Sequence, residues 1–189
     1  LTLDFYDELE ELIRGELSTL DADGLIIIGR GRHFSSGANL EELLCRIRET
    51  GYDRSPSWCE DNAHRVVGLR ELPYPVVAAI SGCCLGSGLE LALSCTYRVA
   101  ATNAVLALPE AQHGLIPGCG GTVRLPEIVG FSKAMRIALS GELLSADDAL
   151  EIGLVDLVVP KKELLNEAER LVSCITRQHN VTLERTSDC

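Results

Sequence analysis

Helical and strand patterns alternate along the whole chain. Residues 3 to 20 place apolar side chains at helical spacing among acidic residues, which predicts an amphipathic helix. The runs LIII at 25–28 and VVAAI at 76–80 contain no polar residue, and such runs are typical of strands buried on both faces. Further strands are predicted at 97–101, 105–108 and 155–159. The interleaving indicates an α/β fold with buried, largely parallel strands and flanking helices.

The segments between the strands are predicted to be helices joined by polar or glycine-rich turns. Helices are predicted from residue 40, through 66–69, and at 88–95, 121–129, 132–139, 146–152 and 161–177. Residues 51–60 combine glycine, proline, serine and mixed charge, which predicts a flexible connection. A length of 189 residues suits one domain, so we interpret 1–189 as a single domain in which 161–189 forms the last helix and tail.

Composition and charge limit which partners and which cellular compartment are expected. The net charge of −11 disfavours nucleic acid as a partner, and no apolar run approaches the roughly 20 residues of a membrane span. A chain of this size does not need disulfides as staples, so a reducing, cytoplasmic compartment is expected and most of the eight cysteines are predicted to be small core side chains. There is no C-x-x-C spacing and no histidine pair at i and i+4, so no metal site is predicted.

Two glycine-bearing loops follow the first two strands. In HFSSGANLEEL, Gly37 marks a sharp turn before a helix, and the Ala38 N–H is predicted to be one of that helix's free donors. In ISGCCLGSGLE, Ser87 and Glu90 stand at the start of a second helix. Two such turns side by side could aim two N–H groups at one oxygen, as in an oxyanion hole.

Each loop also has an interpretation that needs no catalysis. The first is compatible with an ordinary strand-to-helix turn in which Asn39 is the N-cap. The second spells S-x-x-E over Ser87 to Glu90, which is a capping box. In the third stretch, LALPEAQHGLIPGCGGT, Glu110 could reach a pocket or simply face water. Arg30 and Arg32 form a tight basic cluster that could attract a phosphate or be solvated in a turn.

Four blocks, in a fixed order, carry a resemblance to a known family. They are FSSGANLEEL, VVAAISGCCLGSGLELALSC, LPEAQHGLIPGCGGTVRLPEIVG and LSGELLSADDALEIGLVDLVVP. Together they resemble the enoyl-CoA hydratase/isomerase (crotonase) family over about residues 3 to 170. The resemblance implies a crotonase-type fold of repeated strand-strand-helix turns. It also implies an acyl-CoA thioester as substrate, with coenzyme A as part of that substrate and no separate cofactor.

The resemblance implies roles for four residues. In that family two backbone N–H groups hold the thioester carbonyl, and by motif position they belong here to Ala38 and Ser87. The family's hydratases place two glutamates across the substrate's double bond, and the matching positions are Glu90 and Glu110. The reaction implied is syn addition of water to a trans-2-enoyl-CoA through an oxyanion-stabilised thioester enolate.

Other functions of the same fold remain open at this point. They are double-bond isomerisation, decarboxylation or dehydration of an acyl-CoA, and non-catalytic binding of acyl-CoA. Two carboxylates favour hydration, because members that only shift a double bond often keep just the second one. The family binds the CoA nucleotide near the first loop, which makes Arg30 and Arg32 candidate CoA contacts.

The chain departs from the family pattern in three respects. Asn39 stands where most members have Asp, and Ser87 replaces a usual Gly, which leaves its N–H in place. Relative to the family, the chain is expected to be truncated at both ends. The apolar stripes of the first and last predicted helices are therefore expected to be covered in a homo-oligomer, either a trimer or a hexamer of two stacked trimers.

Overall fold

The computed structural model describes residues 1–50 and 66–186. The connection predicted at 51–60 lies outside the described residues. In chain order the elements are α1 (Leu3–Leu12), β1 (Leu25–Ile28), α2 (Leu40–Thr50), α3 (residues 66–71), β2 (Val76–Ile80), β3 (Cys83–Leu85), α4 (Ser87–Leu93), β4 (Tyr97–Ala101), β5 (Val105–Ala107), α5 (Gly121–Val129), α6 (Phe131–Ser140), β6 (Leu144–Ser145), α7 (Ala146–Glu151), β7 (Leu157–Val159) and α8 (Leu164–Thr186). The predicted interleaving of strands and helices is confirmed.

The described strands form two sheets. The larger sheet is entirely parallel, in the order β1-β2-β4-β7. In the smaller sheet, of order β3-β5-β6, the first pair is parallel and the second antiparallel. Each early strand of the larger sheet is followed by a segment that joins the smaller one: β2 by β3, β4 by β5, and β1 by Ser35, which bridges Cys84 in parallel. This repeat confirms the predicted fold class.

The environment of strand β2 explains why its sequence contains no polar residue. Val76, Ala78 and Ile80 point into the main core between the sheets and helices α1, α4, α5 and α6. Val77 and Ala79 point to the opposite face, where they join a second apolar cluster with the first turns of α8. All five residues are buried, so no position of the strand faces solvent.

Side-chain caps fix the starts of the two helices that later border the cavity. The Thr2 hydroxyl accepts a hydrogen bond from the Phe5 N–H at 3.2 Å and caps α1. Asn39 Oδ1 accepts from the Glu41 N–H at 3.1 Å and caps α2. The N-cap predicted for Asn39 is confirmed, and α2 therefore begins two residues after Ala38.

The elements differ from those predicted in several places. Residues 83–85 form β3 instead of part of a turn, because backbone pairing with β5 needs no alternating pattern. Residues 109–113 form a short 3-10 helix that the pattern did not indicate. The first helix passes through a π-helical turn at Ile13–Leu17. The last helix extends to Thr186, past the predicted end at 177.

The apolar stripes of the first and last helices are packed within the chain only in part, and Leu12, Leu20 and Leu165 remain exposed. Tyr6 and Ile13 are buried in the main core, and Leu164 and Val172 are buried in the second cluster. A further exposed apolar surface lies on α6. On α6 three side chains spaced by four residues are exposed, namely Phe131, Met135 and Leu139, and Leu143 follows them.

The cysteines divide more evenly than predicted. Cys84, Cys95 and Cys119 are buried, whereas Cys45 and Cys174 are exposed and Cys83 is half-buried. Burial therefore holds for half of the cysteines in the described ranges. Within residues 1–50 and 66–186, no helix combines the length and apolar character needed to cross a membrane.

Candidate active site

A cavity of about 590 Å³ opens between the start of α1, the loop before α2, the start of α4 and the segment from Pro109 to Cys119. Four of the six predicted site residues line it: Ala38, Ser87, Glu90 and Glu110. The structure thus brings together residues that are as much as 72 positions apart in the sequence. Concave, mostly apolar cavities with a few polar groups are the usual sites for small ligands.

Glu90 is held by the backbone of a glycine-rich turn. Its side chain lies on α4 and is only 1% exposed. Glu90 Oε1 accepts hydrogen bonds from the Cys119 N–H at 2.8 Å and the Gly121 N–H at 2.7 Å. The N-cap of α4, Gly86, receives no side-chain hydrogen bond. The capping-box interpretation of Glu90 is therefore wrong, and its carboxylate is committed to the cavity wall.

The surroundings of Glu90 favour its neutral form, and several neighbouring groups partly oppose this effect. Burial raises the pKa of Glu90 to about 7, and the charge of nearby Glu110 acts in the same direction. The N–H groups of Gly121 and Cys119 and the positive charge of Arg124 oppose this rise. Glu90 is thereby poised near neutral pH, where a carboxyl can act as a base.

Glu110 approaches the same cavity from a different element. It follows β5 at the start of the 3-10 helix Pro109–His113. Its Oε1 would lie 2.9 Å from a Cβ atom placed on Gly86, so only glycine leaves room for the carboxyl there. Glu110 Oε2 is buried and has no hydrogen-bond partner in the described part of the chain. Burial raises the pKa of Glu110 above its ordinary value.

The two predicted N–H donors lie on adjacent loops. Gly37 and Gly86 both have positive φ angles, 99° and 54°, and each precedes one of the donors. A Cβ atom on Gly86 would lie 4.0 Å from Gly37 Cα, and one on Gly37 would lie 3.0 Å from Leu85 O. The turns that carry Ala38 and Ser87 are therefore packed against each other.

The two donors differ in their relation to a helix. Ser87 is the first residue of α4, so its N–H belongs to the free first turn of that helix. Ala38 precedes the N-cap Asn39, so its N–H lies outside α2, and the prediction that it is a free helix donor is wrong. The loop geometry at Gly37, and not the helix dipole of α2, determines where the Ala38 N–H lies.

Arg30 and Arg32 do not line the cavity. Both side chains are exposed on the loop after β1. The glycines beside them, Gly29 and Gly31, border a smaller pocket of about 130 Å³ together with Lys161 and Lys162 at the start of the last helical segment. Their role as CoA contacts stays a prediction.

Sequence patterns missed two side chains and the role of one turn at this site. Tyr6, 2% exposed on α1, accepts a hydrogen bond from Cys119 Sγ at 3.5 Å, and burial raises the pKa of its phenol so that it stays neutral. Arg124, 4% exposed on α5, donates from Nη1 to Cys119 O at 2.6 Å. The PGCGG run at 117–121 indicated only a turn, since backbone donors leave no side-chain signature in a sequence.

Comparison with known proteins assigns the chain to a family. Residues 3–187 match the family described as enoyl-CoA hydratase/isomerase. The chain belongs to this family. It is 39% identical over 160 residues to a probable enoyl-CoA hydratase of Bacillus subtilis, a match that covers 84% of this chain and 61% of that protein. It is also 42% identical over 185 residues to a fatty acid oxidation complex subunit alpha of Shewanella loihica, covering 89% of this chain and 26% of the relative.

Solved structures of the enoyl-CoA hydratase/isomerase family agree with this assignment. An enoyl-CoA hydratase from Bacillus anthracis superposes with a TM-score of 0.82 at 33% identity, over 93% of this chain and 67% of that one. The chain thus spans about three fifths of the Bacillus subtilis relative and about a quarter of the Shewanella one. Family membership makes the chain an enzyme of the enoyl-CoA hydratase/isomerase family, and the reaction is considered next.

Proposed function

We propose that the protein is an enoyl-CoA hydratase that adds water syn across the double bond of a trans-2-enoyl-CoA. The observation that carries this proposal is the pair of glutamates, Glu90 and Glu110, in one cavity beside two packed glycine turns. Hydration needs a group that accepts a proton from water and a group that delivers one to carbon. Two carboxyls with raised pKa values on two walls of one cavity meet that need.

The N–H groups of Ala38 and Ser87 would receive the thioester oxygen. Attack of water at Cβ turns this carbonyl oxygen into an enolate oxygen, so the negative charge would develop beside these two N–H groups. Donors that are already in place need no reorganisation as the charge forms. Loss of one such donor typically costs roughly 3–4 kcal/mol of transition-state stabilisation.

Glu90 serves as the base in this proposal. Its Oε1 already accepts two backbone N–H groups, which favour the ionised form and leave Oε2 to take the proton from water. Glu110 serves as the acid that protonates Cα. Burial raises the pKa of Glu110 against the opposing backbone N–H and His113, its Oε2 is buried without a hydrogen-bond partner in the described ranges, and an acyl group in the cavity would exclude further water from it.

The CoA nucleotide is proposed to lie across the loop after β1. Arg30 and Arg32 are exposed on this loop, and the neighbouring Gly29 and Gly31 border one pocket with Lys161 and Lys162, so this part of an acidic protein is rich in cationic residues. Phosphates are attracted to such a cluster inside a Debye length of about 8 Å. This placement keeps CoA outside the main cavity and leaves that cavity to the acyl thioester.

Assembly as a trimer or as two stacked trimers is proposed through α6 and its neighbour Leu143. Phe131 is 71% exposed and Leu139 is 66% exposed, and with Met135 they form an apolar stripe along one face of α6. Stripes of this kind are commonly covered by a second subunit. Sedimentation at micromolar concentration tests this assembly, and a stable monomer contradicts it.

The experiment that tests the reaction follows the enoyl-thioester absorbance of crotonyl-CoA with increasing protein. A hydratase removes the absorbance in proportion to enzyme concentration and yields a 3-hydroxyacyl-CoA. Longer and branched enoyl-CoAs then define the acyl chain accepted. Turnover of a 3-enoyl-CoA without hydration would identify an isomerase, and tight binding without turnover would identify a non-catalytic module.

A further inference from the structure

We propose that Arg124 is a positioning residue: its guanidinium holds the 117–121 turn in the conformation in which two backbone N–H groups bind Glu90. The proposal rests on the proposed role of Glu90 as the base. It assigns a function to a buried cation that no motif had singled out.

The contacts form a continuous chain from Arg124 to the carboxylate. Arg124 Nη1 donates a hydrogen bond to Cys119 O at 2.6 Å. The backbone N–H of Cys119 in turn donates to Glu90 Oε1 at 2.8 Å. Cys119 is therefore held from both sides, through its carbonyl by the guanidinium and through its amide by the carboxylate. A hydrogen bond between charged and neutral groups at this distance is among the stronger ones in proteins.

The glycines of the turn make room for the guanidinium. Gly120 has a φ angle of 93°, and a Cβ atom there would lie 2.0 Å from Arg124 Nη1. A Cβ atom on Gly121 would lie 2.9 Å from Glu90 Oε1. The glycine pair thus lets a cation and a carboxylate approach the same stretch of backbone. The turn and the Arg124 side chain form one structural unit.

Charges on several elements act on Glu90 from around this unit. Glu110 on the 3-10 helix raises its pKa, whereas Arg124 on α5 lowers it. The phenol of Tyr6 on α1 is held neutral by burial and adds no charge. Arg70 lies near Arg124 but is paired with Glu127 at 3.1 Å. Arg124 is the cation that acts on Glu90 within the described residues.

Arg98 provides a matched control within the same chain. It is also a buried arginine, 5% exposed, and it also donates to backbone carbonyls, from Nε to Leu154 O at 2.8 Å and from Nη1 to Cys95 O at 3.0 Å. It is absent from the residues that line the cavity. Loss of Arg98 therefore reproduces the structural cost of removing a buried arginine without touching the Glu90 turn.

The test compares Arg124→Gln, Arg124→Lys and Arg98→Gln for the pH dependence of kcat/KM on crotonyl-CoA, with melting temperature measured in parallel. For Arg124→Gln we expect the acid limb of the profile to move up by about one pH unit, because an opposing positive charge is lost. For Arg124→Lys the charge is kept, so the limb stays in place while kcat falls about 10-fold from a misplaced base. Arg98→Gln is expected to lower the melting temperature and leave the profile unchanged.

A second readout does not depend on turnover. The amide resonances of Cys119 and Gly121 report the ionisation of Glu90, since both N–H groups donate to its Oε1. The pH midpoint of their titration is expected to be higher in Arg124→Gln than in wild type. In Arg98→Gln it is expected to equal the wild-type value. If the wild-type protein does not hydrate crotonyl-CoA, the proposed reaction fails but this titration still tests Arg124. A folded Arg124→Gln protein with a wild-type midpoint, or Arg124→Lys with wild-type kcat, would overturn the proposal.

Discussion

Glu90 and Glu110 face one cavity from two differently built walls. Glu90 lies on a regular helix and is fixed by two backbone hydrogen bonds from a turn that Arg124 supports. Glu110 lies on a single 3-10 turn, and its buried Oε2 has no partner in the described part of the chain. The comparison teaches that two glutamates in one cavity are held differently: backbone N–H groups fix the carboxyl of Glu90, whereas Glu110 Oε2 has no partner in the described ranges, and burial raises the pKa of both.

The largest loss of activity is expected when the carboxyl of Glu90 is removed. Glu90→Gln keeps the acceptor for the Cys119 and Gly121 N–H groups but cannot take a proton, so kcat is expected to fall by about 10²–10⁴-fold. Steady-state hydration of crotonyl-CoA measures this loss. Glu127→Gln, which changes an exposed glutamate on α5, is the control and should leave kcat unaltered. Retention of activity by Glu90→Gln would remove Glu90 from the mechanism.

The same substitution predicts a change in the pH dependence of stability. The pKa of Glu90 is raised from 4.5 to about 7, so between these pH values the folded protein holds a proton that the unfolded chain has released. Wild-type stability therefore falls as the pH rises through this window, by up to about 3 kcal/mol. Glu90→Gln lacks this dependence, so it should gain stability relative to wild type between pH 4.5 and 8. Urea unfolding at several pH values measures the gain, and parallel curves for both proteins would contradict it.

The predicted and observed folds agree where a pattern is local. LIII and VVAAI predict strands, and β1 and β2 have the predicted bounds. Burial on both faces is confirmed for β2 but is wrong for β1, whose first three residues are half-buried and whose last, Ile28, is 48% exposed. Strand β3 was missed because its identity depends on pairing with β5, about 20 residues later in the chain. Pairing between distant segments leaves no periodicity in either one.

In the candidate site, too, residues in local motifs were predicted, whereas contacts between distant segments were not. Glu90 and Glu110 were singled out because motifs carried them, and both line the cavity. The turn that holds Glu90 was seen only as glycine-rich, because backbone N–H groups are common to every residue except proline. Arg124 escaped notice since a buried arginine on a helix looks, in sequence, like any surface arginine on an amphipathic helix.

A smaller loss of activity is expected when Gly86, which lies beside the carboxyl of Glu110, is replaced. Gly86→Ala places a Cβ atom 2.9 Å from Glu110 Oε1 and also strains a backbone with φ of 54°. Displacement of the acid should lower kcat by about 10-fold. Gly153→Ala is the matched control, because Gly153 also has positive φ, 81°, but nothing lies within 4 Å of its Cβ position. Equal activity losses in both variants would show that strain alone is responsible.

The smallest effect is expected at Ser87. If only its N–H acts on the substrate, Ser87→Gly should change kcat/KM by less than about three-fold, equivalent to roughly 0.7 kcal/mol. Ser87 Oγ lies near the Tyr6 hydroxyl but forms no hydrogen bond of normal geometry in the described ranges, so little is lost with it. Kinetics on crotonyl-CoA measure the ratio. A loss above about 10-fold would mean that the hydroxyl itself contacts the substrate.

The most direct test of the central claim is hydration of crotonyl-CoA in D₂O, followed by NMR of the isolated product from wild type and Glu110→Gln. The account predicts that wild type adds one deuterium at Cα and the hydroxyl at Cβ on the same face of the former double bond. It also predicts that Glu110→Gln forms this product at least about 10²-fold more slowly. Anti addition, deuterium exchange without hydration, or a wild-type rate in Glu110→Gln would contradict the assignment of base and acid to the two walls of the cavity.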